Sequence, residues 1–212
     1  MTRIEDRKDD ELLYDLGGRE HPSIFFLDAE GEVLARHDAD DPSVRALEET
    51  GAKVARLLDL RKKAASGDEA AKLDLLIVQC DLGVIEFPDL ETEIEGKELS
   101  AEQQRAVGAL RADAAVSDMG LVLAKNRDQA ARDMAAEEFA GLYEKGTHPV
   151  RAANRRIYWG VLADHAAAAK DAPMLKDALA GLRAALGDEP PQRALDRLRE
   201  LEARLKELEA AK

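Results

Sequence analysis

His21-Pro22-Ser23-Ile24-Phe25-Phe26-Leu27-Asp28-Ala29-Glu30-Gly31-Glu32-Val33-Leu34-Ala35-Arg36-His37 is the one segment of this chain with a strand pattern, and helix-forming sequence lies around it. Ile24 to Leu27 is an unbroken apolar run, the pattern of a strand covered on both faces. Asp28-Ala29-Glu30-Gly31 is a turn, opened by Asp28 and closed by Gly31 at a position that needs positive φ. Glu32 to His37 then returns as a more polar partner strand. The spacing predicts a β-hairpin set into a helical protein.

Outside the hairpin the composition is that of close-packed helices. Of 212 residues, 45% are apolar and only 4% aromatic, with Ala and Leu dominant. That mixture can bury a core and gives little support to a large sheet. A formal charge of −13 with no basic patch excludes nucleic acid as the expected partner. No run of 18 apolar residues occurs, so no membrane span is expected. The first ten residues are charged and lack the hydrophobic region of a signal peptide, which makes a cytoplasmic location the expectation.

Residues 1–66 read as one lobe. A short helix from Asp9 or Asp10 reaches Leu16 and stops at Gly17-Gly18; the hairpin follows. Asp40-Asp41-Pro42 then opens a helix running to about Ala65. Residues 67–190 read as successive helices near 69–83, 100–124, 127–145, 149–170 and 173–186, with 84–99 as a connection. Ser100-Ala101-Glu102-Gln103 is a capping box, which fixes one helix start.

Residues 191–212 form a last, leucine-striped helix. Leu198 and Leu205 fall at heptad position a, and Leu201 and Leu208 at d. Arg197 and Arg204 fall at g, Glu202 and Glu209 at e. The stripe predicts either a capping helix laid on the chain's own core or a parallel self-pair.

A proline entering an apolar strand, then a hairpin and a helix, resembles the C-terminal half of a thioredoxin fold over roughly residues 1–60. The resemblance implies that Pro22 is the family's cis-proline and that the backbone at His21 meets an extended peptide. The family's Cys-X-X-Cys has no counterpart: 21 residues precede Pro22 and none is cysteine. Cys80, the single cysteine, sits in the apolar run Leu75-Leu76-Ile77-Val78-Gln79-Cys80 and reads as a small buried hydrophobe. In the family fold a further strand lies beside the cis-proline strand. Here Thr2 to Glu5 could supply a short one. Otherwise the edge of 24–27 is left to another chain or to the helical domain, or the chain is the truncated end of a longer one.

Ala178, Leu182, Ala185, Leu186 and Pro190 are similar in spacing to the second helix of a tetratricopeptide repeat. Where that family's first helix carries a bulky, Leu and Gly pattern, this chain has Leu162, His165 and Ala166, so the resemblance covers one half-repeat. No clean period of about 34 residues extends the match. The histidines His21, His37, His148 and His165 are far apart and have no ligand-spaced companions, so no metal is expected. Trp159, with Ile157 and Tyr158, sits mid-helix among small residues and reads as a core anchor.

The expected fold is therefore mostly α: a partial thioredoxin-like α/β lobe followed by repeat-like helices. The expected function is non-catalytic, a protein-interaction or assembly module. It would take a protein or peptide near His21 and Pro22, with no catalytic residue, cofactor or metal. The alternative is the C-terminal part of a thioredoxin-like oxidoreductase whose cysteines lie upstream. A third reading is a homodimer through Leu198, Leu201, Leu205 and Leu208.

Overall fold

A computed structural model describes residue 16 and residues 24–37, 44–126, 128–187 and 190–210. His21, Pro22, Thr2 to Glu5 and the expected 9–16 helix lie outside the described residues, apart from Leu16. The fold is mostly helical with a two-stranded antiparallel sheet. The chain divides into two compact units, Met1–Gln103 and Gln104–Lys212.

In the first unit β1 (Ile24–Leu27) and β2 (Val33–His37) form the expected hairpin. The register pairs Ile24 with His37, Phe25 with Arg36 and Phe26 with Ala35, and a bulge then brings Leu27 opposite Val33. Asp28 builds the turn: its Oδ1 accepts from the N–H groups of Glu30 and Glu32 at 3.1 and 2.8 Å. Gly31 supplies the left-handed position at φ +87°.

The hairpin lies on α1 (Val44–Ala65). Leu34 and Ala35 are buried with Val54, Leu57 and Leu60 of that helix. Gly51 faces the sheet, where a Cβ would make an ordinary contact 3.8 Å from Phe26 Cε1. His37 Nδ1 meets Thr50 Oγ1 at 2.9 Å. After Ser66-Gly67, α2 (Glu69–Asp81) starts with Asp68 accepting from Ala71 N–H, a side-chain N-cap. It adds Ala71, Val78 and Leu82 to the same core. A short α3 (Phe87–Ile94), with Pro88 in its first turn, occupies the stretch expected to be a connection. Proline preorganises a first helical turn, and Leu90 is fully buried, which together explain the helix.

The second unit is an all-helical body made by α4 (Ala101–Lys125), α5 (Gln129–Glu144), α6 (Ala152–Ala169), α7 (Ala172–Leu186) and α8 (Gln192–Ala210). The capping box at the start of α4 forms as read: Gln103 N–H donates to Ser100 Oγ, and Ser100 N–H donates to Gln103 Oε1. Helices α6 and α7 make a tight hairpin through Lys170-Asp171. Lys170 takes the left-handed conformation at φ 58°, and Asp171 caps α7 by accepting from Met174 N–H. Of the positions singled out by spacing, Leu162, Ala166, Ala178 and Leu182 are buried in this unit's core, whereas His165, Ala185, Leu186 and Pro190 are only partly buried.

Helix α2 completes the core begun by the hairpin and α1, while α8 adds Leu198 and Leu201 to the core of the second unit.

Candidate interaction surface

The apolar run of β1 does not produce a strand covered on both faces. Phe26 and Ala35 lie opposite each other on the face toward α1, where Ala35 is fully buried. Phe25 and Arg36 share the other face, and there Arg36 is exposed and Phe25 only half-buried. Leu27 is 45% exposed. The better-covered strand is β2, the one expected to be polar, with Leu34, Ala35 and His37 buried. The bulge at Phe26/Leu27 accounts for part of this, because it breaks the alternation and turns Leu34 inward.

The two edges of the hairpin differ. On β2, the Arg36 N–H donates to the Leu82 carbonyl at the end of α2, at 3.0 Å. That N–H therefore points away from β1, so Phe25 and Arg36 are a non-hydrogen-bonded pair. In such a pair both residues turn their main-chain groups outward. The N–H and C=O of Phe25 consequently face the outer edge of β1. Among the described residues, backbone hydrogen bonds reach residues 24–27 only from β2. Among the described residues, the outer edge of β2 meets Leu82 and nothing pairs with the apolar outer edge of β1.

The expected tail surface is used differently. Leu198 and Leu201 are buried in the second unit, and Leu205 and Leu208 pack against the same core. The charges flanking the stripe are also engaged within the chain: Arg197 pairs with Asp164 of α6, and Glu202 with Arg183 of α7. Within this chain the four leucines lie against the second unit's core, the placement a capping helix has. A cleft of about 640 Å³ beside α8 is lined by Asp164, Arg193, Asp196, Arg197, Glu200 and Leu201. Within it Arg197 meets Asp164, and Asp196 accepts from Gln192 and Arg199 of its own helix.

One polar cluster escaped sequence reading. Asp113 of α4 is 2% exposed, and its carboxylate accepts from Val150 N–H at 3.0 Å, Arg151 N–H at 3.1 Å and Asn154 Nδ2 at 2.9 Å. Arg151 is the N-cap of α6 and provides no side-chain cap, so Asp113 caps that helix from another element. Burial raises its pKa against the pull of these hydrogen bonds. Ser117 and Asn154 complete the group. With its lone pairs spent on donors, Asp113 holds structure and is a poor general base. The available signal was an acid on the apolar stripe Leu110-Asp113-Val116 of a helix.

One turn further along α6, the buried Tyr158 hydroxyl meets His148 Nδ1 at 3.1 Å. His148 is also against the Tyr143 and Trp159 rings, with centroids 6.2 and 5.1 Å away. Tyr143 in turn donates to Asp177 of α7, which pushes its pKa to about 12. Burial lowers the His148 pKa below 6.5. The unfolded chain then takes up this proton at higher pH than the folded one, so stability falls as pH drops below about 6.5 and levels off beneath the folded pKa. Asp113, shifted upward, gains a proton more readily when folded and opposes the loss at lower pH. We expect His148→Gln to flatten urea-unfolding stability between about pH 7.5 and pH 5.5, compared with the unsubstituted chain.

Cys80 is 2% exposed in the core region of α2, where a thiol is shielded from reagents. Among the described residues no group of three His, Cys, Asp or Glu side chains is placed to hold a metal ion, and no helix is long and apolar enough to cross a membrane. Comparison with protein-family models, curated proteins and solved structures finds no match for the chain.

Proposed function

We propose that this chain is a non-catalytic protein-interaction module whose hairpin accepts an extended segment of a protein partner along the outer edge of β1. The observation that carries this reading is the outward main chain of Phe25 on an apolar, half-exposed strand. Open strand edges are templates for pairing, and natural proteins blunt them with charge, proline or cover. Ile24 to Leu27 carries neither charge nor proline. The partial thioredoxin-like description of residues 1–66 belongs with this reading, as does a tetratricopeptide-like description of the helices. His21 and Pro22 immediately precede the strand and extend the proposed contact.

The test is fluorescence anisotropy with a labelled, end-capped octapeptide of alternating valine and threonine. Phe25→Pro deletes the outward N–H without removing a bond to β2, and proline is tolerated at such edge positions. Binding should weaken about tenfold or more in this variant and persist in Phe25→Leu, which keeps the N–H. Circular dichroism checks that both variants fold. Equal binding by all three chains, or none by the parent, refutes the strand-accepting reading.

A further inference from the structure

The chemistry around the open edge also names the kind of segment it takes. We infer that the partner strand runs antiparallel to β1, is apolar in its centre and carries lysine or arginine at its N-terminal end. This inference rests on the strand-accepting reading above.

Antiparallel pairing continues the hairpin's own pattern and is slightly the more stable per residue. Because β1 runs from Ile24 toward the turn, such a partner brings its N-terminal end alongside Leu27 and the turn. That end of the hairpin carries Asp28, Glu30 and Glu32 within five residues. Asp28 is committed to the turn, with Oδ1 accepting from two backbone N–H groups. Glu30 and Glu32 are exposed, and no basic side chain pairs with either among the described residues. Among the described residues of the hairpin the remaining formal charge is Arg36, exposed across from Phe25 on the face away from α1. A cation opposite Phe25 on that face would meet Arg36, whereas a cation beyond Leu27 meets the hairpin's carboxylates. The edge is thus apolar in the middle, negative at the turn and positive beside its centre.

Like charge disfavours an acidic segment at the turn, and the mixed field sets register as well as preference. A second copy of this chain is a weaker candidate. Self-pairing about Phe25 would bring together two molecules of net charge −13, and it would leave each turn without a countercharge from the paired strand itself.

The experiment uses the full chain and three labelled octapeptides with the same valine-threonine core. One begins with two lysines, one begins with two glutamates, and one ends with two lysines. The lysine-first peptide should bind tightest. Glu30→Lys combined with Glu32→Lys should weaken it about fivefold and strengthen the glutamate-first peptide, both effects shrinking at high salt. If all three peptides bind alike and all lose binding in Phe25→Pro, the edge accepts strands but the charge rule is wrong. If the lysine-last peptide wins, the partner runs parallel and the stated direction is overturned. If no peptide binds, or if binding ignores Phe25→Pro, the strand-accepting reading itself has failed. Both glutamates are exposed on a turn held by Asp28, so their substitution leaves the fold intact.

Discussion

Replacing Asp113 with alanine should destabilise the second unit by about 3 kcal/mol or more. The substitution leaves Val150 N–H, Arg151 N–H and Asn154 Nδ2 without their acceptor in a buried setting. A lost side-chain N-cap costs about 1 kcal/mol, and each buried donor left unpaired costs about 1–3 kcal/mol. Summed naively these exceed the expected value, but removing a carboxylate whose burial is itself unfavourable returns part of the loss. Asp113→Asn keeps the shape, removes the buried charge and puts an amide donor against backbone donors, so it should cost less than alanine. Trp159, the single tryptophan of the chain, lies in this unit and reports its unfolding separately from the first unit. Urea titration followed by Trp159 fluorescence measures both variants. An alanine variant within about 0.5 kcal/mol of the parent would show that water replaces the cap at no cost.

The second large effect is at Gly181. A Cβ built on this residue of α7 would lie 2.3 Å from Trp159 Cδ2 and Cε2 and 2.7 Å from Nε1. The indole cannot simply swing away, because it is held edge-on by Tyr158 at a 4.8 Å centroid distance and packed by His148. Gly181→Ala therefore forces apart the α6–α7 hairpin or the ring cluster. Alanine improves helix propensity by about 1 kcal/mol, and overpacking costs about 1–3 kcal/mol, more where aromatic atoms overlap this deeply. The overlap should win, with a net loss of about 2 kcal/mol, and Gly181→Val should lose more. In a Trp159→Leu background the same Gly181→Ala change should become neutral or stabilising, a coupling that a double-mutant cycle followed by circular dichroism reads directly. A neutral Gly181→Ala in the parent would mean that the two helices sit further apart than described.

These two residues mark what a sequence can and cannot reveal about such a chain. The hairpin was legible because Asp28 and Gly31 have a specific turn chemistry, and the helices because of spacing and the capping box at Ser100. The packing of Trp159 against the core, where it is partly buried, followed from its apolar, small-residue setting. The Gly181 contact did not, since it depends on how α6 and α7 are registered, and that is a tertiary quantity. Asp113 was hidden for the same reason: its donors lie 37, 38 and 41 residues away. Helix α3 was read as part of a connection although Pro88 marks its first turn, because a helix of 8 residues is too short for apolar periodicity to separate it from a loop. Coverage of β1 could not be inferred from its apolar run. Four apolar residues in a row are equally the pattern of a buried strand and of one exposed on an edge, and only the partner elements distinguish them. The leucine tail shows the same ambiguity in a helix, where the stripe was clear and its recipient was not.

For the interaction surface, amide hydrogen exchange at Phe25 is the most direct measurement, followed by NMR on the full chain with and without the lysine-first peptide. In the free chain the Phe25 amide should exchange much faster than those of Ile24 and Phe26, which bond to β2, and saturation with peptide should slow it selectively. A Phe25 amide already as protected as its neighbours in the free chain would show that the outer edge is closed. One still fast at saturation would show that the peptide binds elsewhere. Either result would contradict a strand-accepting hairpin.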